Sequence, residues 1–208
     1  IEEISTMYTQ LFPDLPLKNK LYPGSQEFRP STTESIHDAK NEKYRTGHYR
    51  QKIQILLGMC LWLTRSCRPD CIGIVCMLCS QVHIWSADCM EALRSLISFL
   101  WTTRQKSLFW RIEKGVDMFC FQFFDSDLKA PKSQGCWMLM LMSEDSSSRI
   151  CLDWGSKKMS VCSLSSAASE LFALSQAVTV GLAICEWLNR RVLFEPVNPP
   201  EAFLNVPM

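Results

Sequence analysis

The sequence predicts an α+β protein in which three helices precede three antiparallel strands and one long helix. Three observations carry this expectation. Apolar residues recur at helical spacing from His48 to about Thr103. Between Val116 and Trp154 that period gives way to aromatic, β-prone runs separated by polar turns. A helical period then returns at Ala167. The chain thus reads as an irregular polar segment over 1–47, a helical module over 48–112 and a strand-and-helix domain over 113–208.

The elements follow in order. Pro13, Pro16, Pro23 and Pro30 interrupt any long helix, and Ser31 to Arg45 is dense in Ser, Thr, Asp, Glu and Lys, as a linker would be. From His48 the residues Tyr49, Ile53, Leu56, Leu57, Cys60, Leu61 and Thr64 share one helix face. Arg68-Pro69-Asp70 ends that helix and opens the next, because proline suits a first turn and aspartate suits its dipole. The second helix covers Cys71 to Ser80, and the third runs from Ala87 to about Thr103 with Met90, Leu93, Leu96, Ile97 and Leu100 in a stripe. Val116 to Phe124, Gly135 to Met142 and Arg149 to Trp154 are the strand candidates, joined by the polar turns Lys129 to Ser133 and Ser143 to Ser148. The last helix, Ala167 to Arg190, takes Ser165 or Ser166 as its cap and carries Leu171, Leu174, Val178, Leu182 and Cys185 along one stripe. Ala202 to Val206 would begin another strand.

The 208 residues are 47% hydrophobic, enough for one or two domains with real cores, and the net charge is +1. No global basic field announces a nucleic-acid partner, so any phosphate contact must come from a local patch. The eleven cysteines sit mostly among apolar neighbours, as in Ile74 to Cys79. They read as reduced, buried thiols in a reducing compartment, not as a disulfide framework. The uninterrupted apolar runs, such as Ile55 to Leu63, fall short of the ~20 residues needed to cross a bilayer, so a soluble protein without a membrane partner is expected. The Ile at position 1 and the abrupt last segment are those expected of a piece of a longer product.

Two carboxylates stand out. Asp125 ends the first strand, and Glu170 lies in the first turn of the long helix. A helix packed across the sheet can bring these points together over a strand end. Two bare carboxylates ~4 Å apart repel by ~4 kcal/mol at an effective dielectric near 20, so such a pair calls for a divalent cation. Oxygen-only ligation with water left over favours Mg²⁺ or Mn²⁺, the ions of metal-assisted phosphodiester hydrolysis. The plainer reading stands beside it: a turn aspartate and a helix-dipole partner.

The motifs extend this. Tyr49-Arg50, the apolar helix to Leu61-Trp62-Leu63-Thr64, and Arg68-Pro69-Asp70 come first. Trp85, Ala92-Leu93-Arg94 and Leu100 follow, then Phe124-Asp125-Ser126-Asp127 and Ser133-Gln134-Gly135. Trp154-Gly155-Ser156-Lys157-Lys158 and Ser163-Leu164-Ser165-Ser166 with Glu170 and Ala173-Leu174 complete the series. In this order and spacing, from about Tyr49 to Leu188, the chain resembles the copia-type retrotransposon Pol polyprotein, where the end of the reverse transcriptase meets the N-terminal part of a ribonuclease H domain.

That resemblance implies a helical connection module followed by a partial ribonuclease H-like fold, and Mg²⁺- or Mn²⁺-dependent cleavage of RNA in an RNA–DNA hybrid. It implies Asp125 and Glu170 as catalytic metal ligands, Asp127 as a further oxygen donor, and Lys157 and Lys158 as contacts to the hybrid. It places the parent protein in the cytoplasm, the nucleus or virus-like particles. The chain also departs from the pattern. Where the family carries Thr-Glu-Ala-Glu, this sequence reads Ala167-Ala168-Ser169-Glu170. The third carboxylate, in an Asp-Asn pair after the next strand, and the fourth are missing before Pro207-Met208. The rival expectation is therefore a non-catalytic retroelement relic that binds nucleic acid or protein. Cys76, Cys79, His83 and Cys89 have the spacing of a zinc knuckle but lie in an apolar helical run without glycine turns, so packed thiols are expected there.

Overall fold

The computed structural model describes residues 1–23, 47–127, 133–160 and 165–194. The chain divides into two units, Ile1–Leu108 and Phe109–Met208. The expected linker at Ser31 to Arg45, the turn around Lys129 and the strand at Ala202 to Val206 lie outside the described residues.

The first unit is helical. The segment 1–47, expected to be irregular, opens with α1 (Glu2–Leu11), whose first turn holds Glu2 and Glu3 where the helix dipole favours them. Ile4 and Tyr8 are buried one turn apart, with Phe12 just after the helix. That short amphipathic stripe is masked in the sequence by the prolines that follow it. Next come α2 (Gly47–Ser66), a 3₁₀ turn over Pro69–Cys71, α3 (Ile72–Ser80), a second 3₁₀ turn over Val82–Ile84, and α4 (Ala87–Thr102). Ser86 caps α4 by accepting a bond from the Cys89 N–H. The core joins Tyr8 with Leu56 and Leu57 of α2, Leu78 of α3, Trp85, and Leu93, Leu96 and Leu100 of α4. Each such side chain contributes about 1.5–3 kcal/mol by leaving water.

Arg68 fastens the bend between α2 and α3. Its side chain is 7% exposed and grips the Asp70 carboxylate through Nε at 3.0 Å and Nη2 at 2.8 Å. The same Nη2 donates to Thr103 Oγ1 at 2.8 Å, and the guanidinium lies over the Phe99 ring. One planar cation thereby holds the α2–α3 junction to the end of α4.

The second unit is a three-stranded antiparallel sheet with a helix across it. The strands are β1 (Phe119–Ser126), β2 (Gln134–Met142) and β3 (Arg149–Lys158), in the order β1-β2-β3. The β2–β3 turn closes because Asp145 Oδ1 accepts bonds from the Ser143 hydroxyl and from the Ser147 N–H and hydroxyl. A bulge between Leu139 and Met140 shifts the β2–β3 register. Trp137 lies across Gly155, where any Cβ would run into its ring, and its indole N–H donates to Asp153 at 2.8 Å.

The last helix, α5 (Ser166–Phe194), is capped by Ser165, whose hydroxyl accepts the Ala168 N–H. It faces the sheet with a stripe different from the expected one. Ser169, Ala173, Ala177 and Gly181 are buried, while Leu171 and Leu182 are each 66% exposed. A helical period says which residues share a face, not which face turns inward. Here the small face wins because it lets β1 come close: the Gln122 amide donates to the Ala177 carbonyl, and a Cβ at Gly181 would strike Gln122. The apolar outer face also adds a feature that the count of uninterrupted apolar runs does not register. Ser166–Leu188 is long and apolar enough to cross a membrane, a test that core helices of globular proteins also pass.

Two stability tests follow from the helical unit. Arg68→Met should cost about 1–3 kcal/mol in urea unfolding, and Arg68→Lys should recover little of it, because an ammonium cannot reproduce the fork. Burial pushes the Cys60 and Cys71 thiols up to about 12 from an ordinary 9.0, with Cys79 and Asp70 as their next causes. A raised folded value means full stability below about 9, where both states hold the proton, and loss as pH climbs from there towards 12. The urea midpoint should fall over that window, less steeply in the Cys60→Ala variant.

Candidate functional site

The exposed end of the sheet holds the residues singled out by sequence. The pleat of β1 alternates its side chains between two faces. Cys120 and Gln122 face α5, touching Cys185 and Ala177. Phe119, Phe121, Phe123 and Asp125 belong to the other face and are exposed. Asp125 pairs with Cys136, and its Oδ1 accepts the Ser126 N–H at 2.7 Å. The Cys136 thiol donates to the Asp125 backbone carbonyl; burial, then the Asp125 charge, push that thiol upward.

The helix starts at Ser166 and its first turn holds no acidic residue, so Glu170, expected in that turn, falls just beyond it, exposed between buried Ser169 and Ala173. Ala173 packs over Gly135, which pairs with Ser126, the neighbour of Asp125. The two carboxylates therefore occupy the same end of the sheet, and the sheet lies between them: Asp125 leaves on the open face, and Glu170 belongs to the helix on the other. Among the described residues, no three of His, Cys, Asp and Glu form a group able to hold a metal ion.

Asp127 has a structural partner. Its Oδ1 accepts the Gln134 N–H at 2.6 Å while its own N–H donates to the Gln134 carbonyl at 3.1 Å. These two bonds hold the β1–β2 connection together beyond the last strand pair. Lys157 and Lys158 end β3, exposed, opposite Gly135 and Gln134. Consecutive strand residues emerge on opposite faces, so the two ammonium groups serve different sides of the sheet. Of the residues at zinc-knuckle spacing, Cys76 and Cys79 are in α3, Cys89 is in α4, and the His83 ring nitrogen meets the Arg50 guanidinium at 3.1 Å.

The open aromatic face is a feature that the sequence candidates do not include. Phe119, Phe121 and Phe123 are 37%, 41% and 50% exposed and line one side of an edge strand. The signal is present, as three phenylalanines at a spacing of two. Such a run ordinarily marks the buried side of a strand, and only the position of α5 shows which side is covered.

The hydrogen bonds separate the two aspartates. Asp127→Ala should fray the β1–β2 end and lower stability by about 1 kcal/mol. Asp125→Ala should stay within about 0.5 kcal/mol, because its side chain is exposed and, among the described residues, accepts its neighbour's N–H. Thermal unfolding and amide exchange at Gln134 check both. No family model, curated protein or solved structure matches the chain.

Proposed function

We propose that this chain derives from a copia-type retroelement, with the end of its reverse transcriptase in the first unit and the first part of a ribonuclease H domain in the second. The supporting observation is an order of parts. An acid-terminated strand begins an antiparallel meander, and a long helix with Glu170 near its N-terminal end then lies over β1 and β2. The two acids reach the same sheet end, where the motif resemblance calls for them. The parent reaction is hydrolysis of RNA in an RNA–DNA hybrid with Mg²⁺ or Mn²⁺, and in that reaction Asp125 and Glu170 are the carboxylates and Asp127 a neighbouring donor. Lys157 and Lys158 are the proposed contacts to the hybrid backbone.

A second reading, a non-catalytic binding module, is favoured for this stretch by a specific observation: Asp125 and Glu170 leave the sheet on different sides. Metal-assisted cleavage needs carboxylates converging on the ion, and the parity of β1 directs Asp125 away from the helix that carries Glu170. What remains is binding, with Lys157 and Lys158 drawing the phosphates and the row Phe119, Phe121 and Phe123 offering flat apolar rings.

The test uses the full chain and a labelled RNA–DNA hybrid with Mg²⁺. Salt-sensitive binding without cleavage, unchanged by Asp125→Asn and Glu170→Gln, is the expected result. Reversing both lysines to Glu should weaken binding and lessen the salt slope by about one per lost phosphate contact. Cleavage abolished by either carboxylate substitution would replace the binding module with the enzyme. Absence of hybrid binding at low salt would remove both.

A further inference from the structure

Outside the carboxylate end, the described residues of the second unit include a close pair of thiols. Cys120 on β1 and Cys185 on α5 bring their sulfur atoms to 3.6 Å, and both residues are half-buried. They lie at the far end of the small-residue stripe, opposite the end that holds Glu170. The closeness is built in, since Gly181, one turn before Cys185, has no Cβ to hold the helix off Gln122. No disulfide joins the described cysteines, and the Cys185 thiol donates to the Cys120 sulfur.

We propose that Cys120 and Cys185 form a reversible disulfide that latches α5 to β1 when a small-molecule disulfide is available as oxidant. One cysteine, as its thiolate, attacks a sulfur of the oxidant RSSR and forms a mixed disulfide, releasing RS⁻. The second thiolate then attacks the protein sulfur of that mixed disulfide and releases a second RS⁻. The two protons lost by the cysteines end on the two RSH molecules, and the oxidant takes up the two electrons. Reaching a bond length of ~2.05 Å needs the sulfurs to close by about 1.5 Å, within the reach of rotation about χ1 and a small helix shift.

The bond would close a loop across β2, β3 and most of α5, so its main effect falls on the unfolded chain. Burial, then the neighbouring Cys185 thiol, push the Cys120 thiol up, so exchange is slow at neutral pH and quickens in alkali. The latch fixes the helix that carries Glu170 against the strand that carries Asp125. It depends only on the packing of α5 and not on the retroelement reading.

The experiment treats the reduced full chain with oxidised glutathione under native conditions, blocks remaining thiols and maps the digested peptides by mass spectrometry. The expected result is a peptide joining Cys120 to Cys185, and a thermal midpoint raised on the order of 10 °C and reversed by reductant. Cys120→Ser and Cys185→Ala should each lose both the joined peptide and the shift, and the two variants guard against one failing to fold. Glutathione attached separately at both positions, or a joined peptide that forms only in urea, would overturn the latch.

Discussion

The close seating of α5 on the sheet is the constraint on which the second unit depends. A helix can approach a β-strand within reach of its backbone only if the facing side chains are small. Ser169, Ala173, Ala177, Gly181 and Cys185 recur every four residues and supply that face. The approach is close enough for Gln122 to bond a helix carbonyl and for two sulfurs to meet. It sets the inner face of β1, and through the pleat it assigns Phe119, Phe121, Phe123 and Asp125 to the open side.

The consequence of this arrangement is exposed apolar surface. Leu171, Leu182 and Trp187 on α5 and the phenylalanines of β1 remain in contact with water. The helical unit is built differently, with large side chains turned inward around Leu56, Leu93 and Leu96 and a buried guanidinium tying its bends. One unit is closed by volume, the other by close backbone approach. The same contrast separates their thiols: Cys60 and Cys71 are sealed in a core, while Cys120 and Cys185 sit at a seam between two elements.

The carboxylates show how a motif and a site differ. A motif fixes residue types along the chain, and Asp125 and Glu170 are such residues. A metal site also needs convergence in space, which depends on strand parity and on which side the helix takes. Here the parity of β1 sends Asp125 away from the helix, and Asp127 is already engaged in holding the β1–β2 connection.

Much of the fold is legible in the residues. The helical period locates α2 to α5, and the β-prone runs between polar turns locate the three described strands, to within a few residues, because spacing and composition are local properties. Arg68-Pro69-Asp70 marks a true break, since proline's missing N–H and fixed φ act on the backbone directly. α1 escapes, as one short stripe before a proline-rich stretch carries little periodic signal. Sequence therefore determined the order and type of the elements and the chemical candidates at one sheet end. Only the tertiary structure decided that α5 packs by its small face, that the phenylalanine row is open and that the two carboxylates lie on different sides. Those outcomes depend on how closely two surfaces can approach, and no spacing along a single chain encodes that distance.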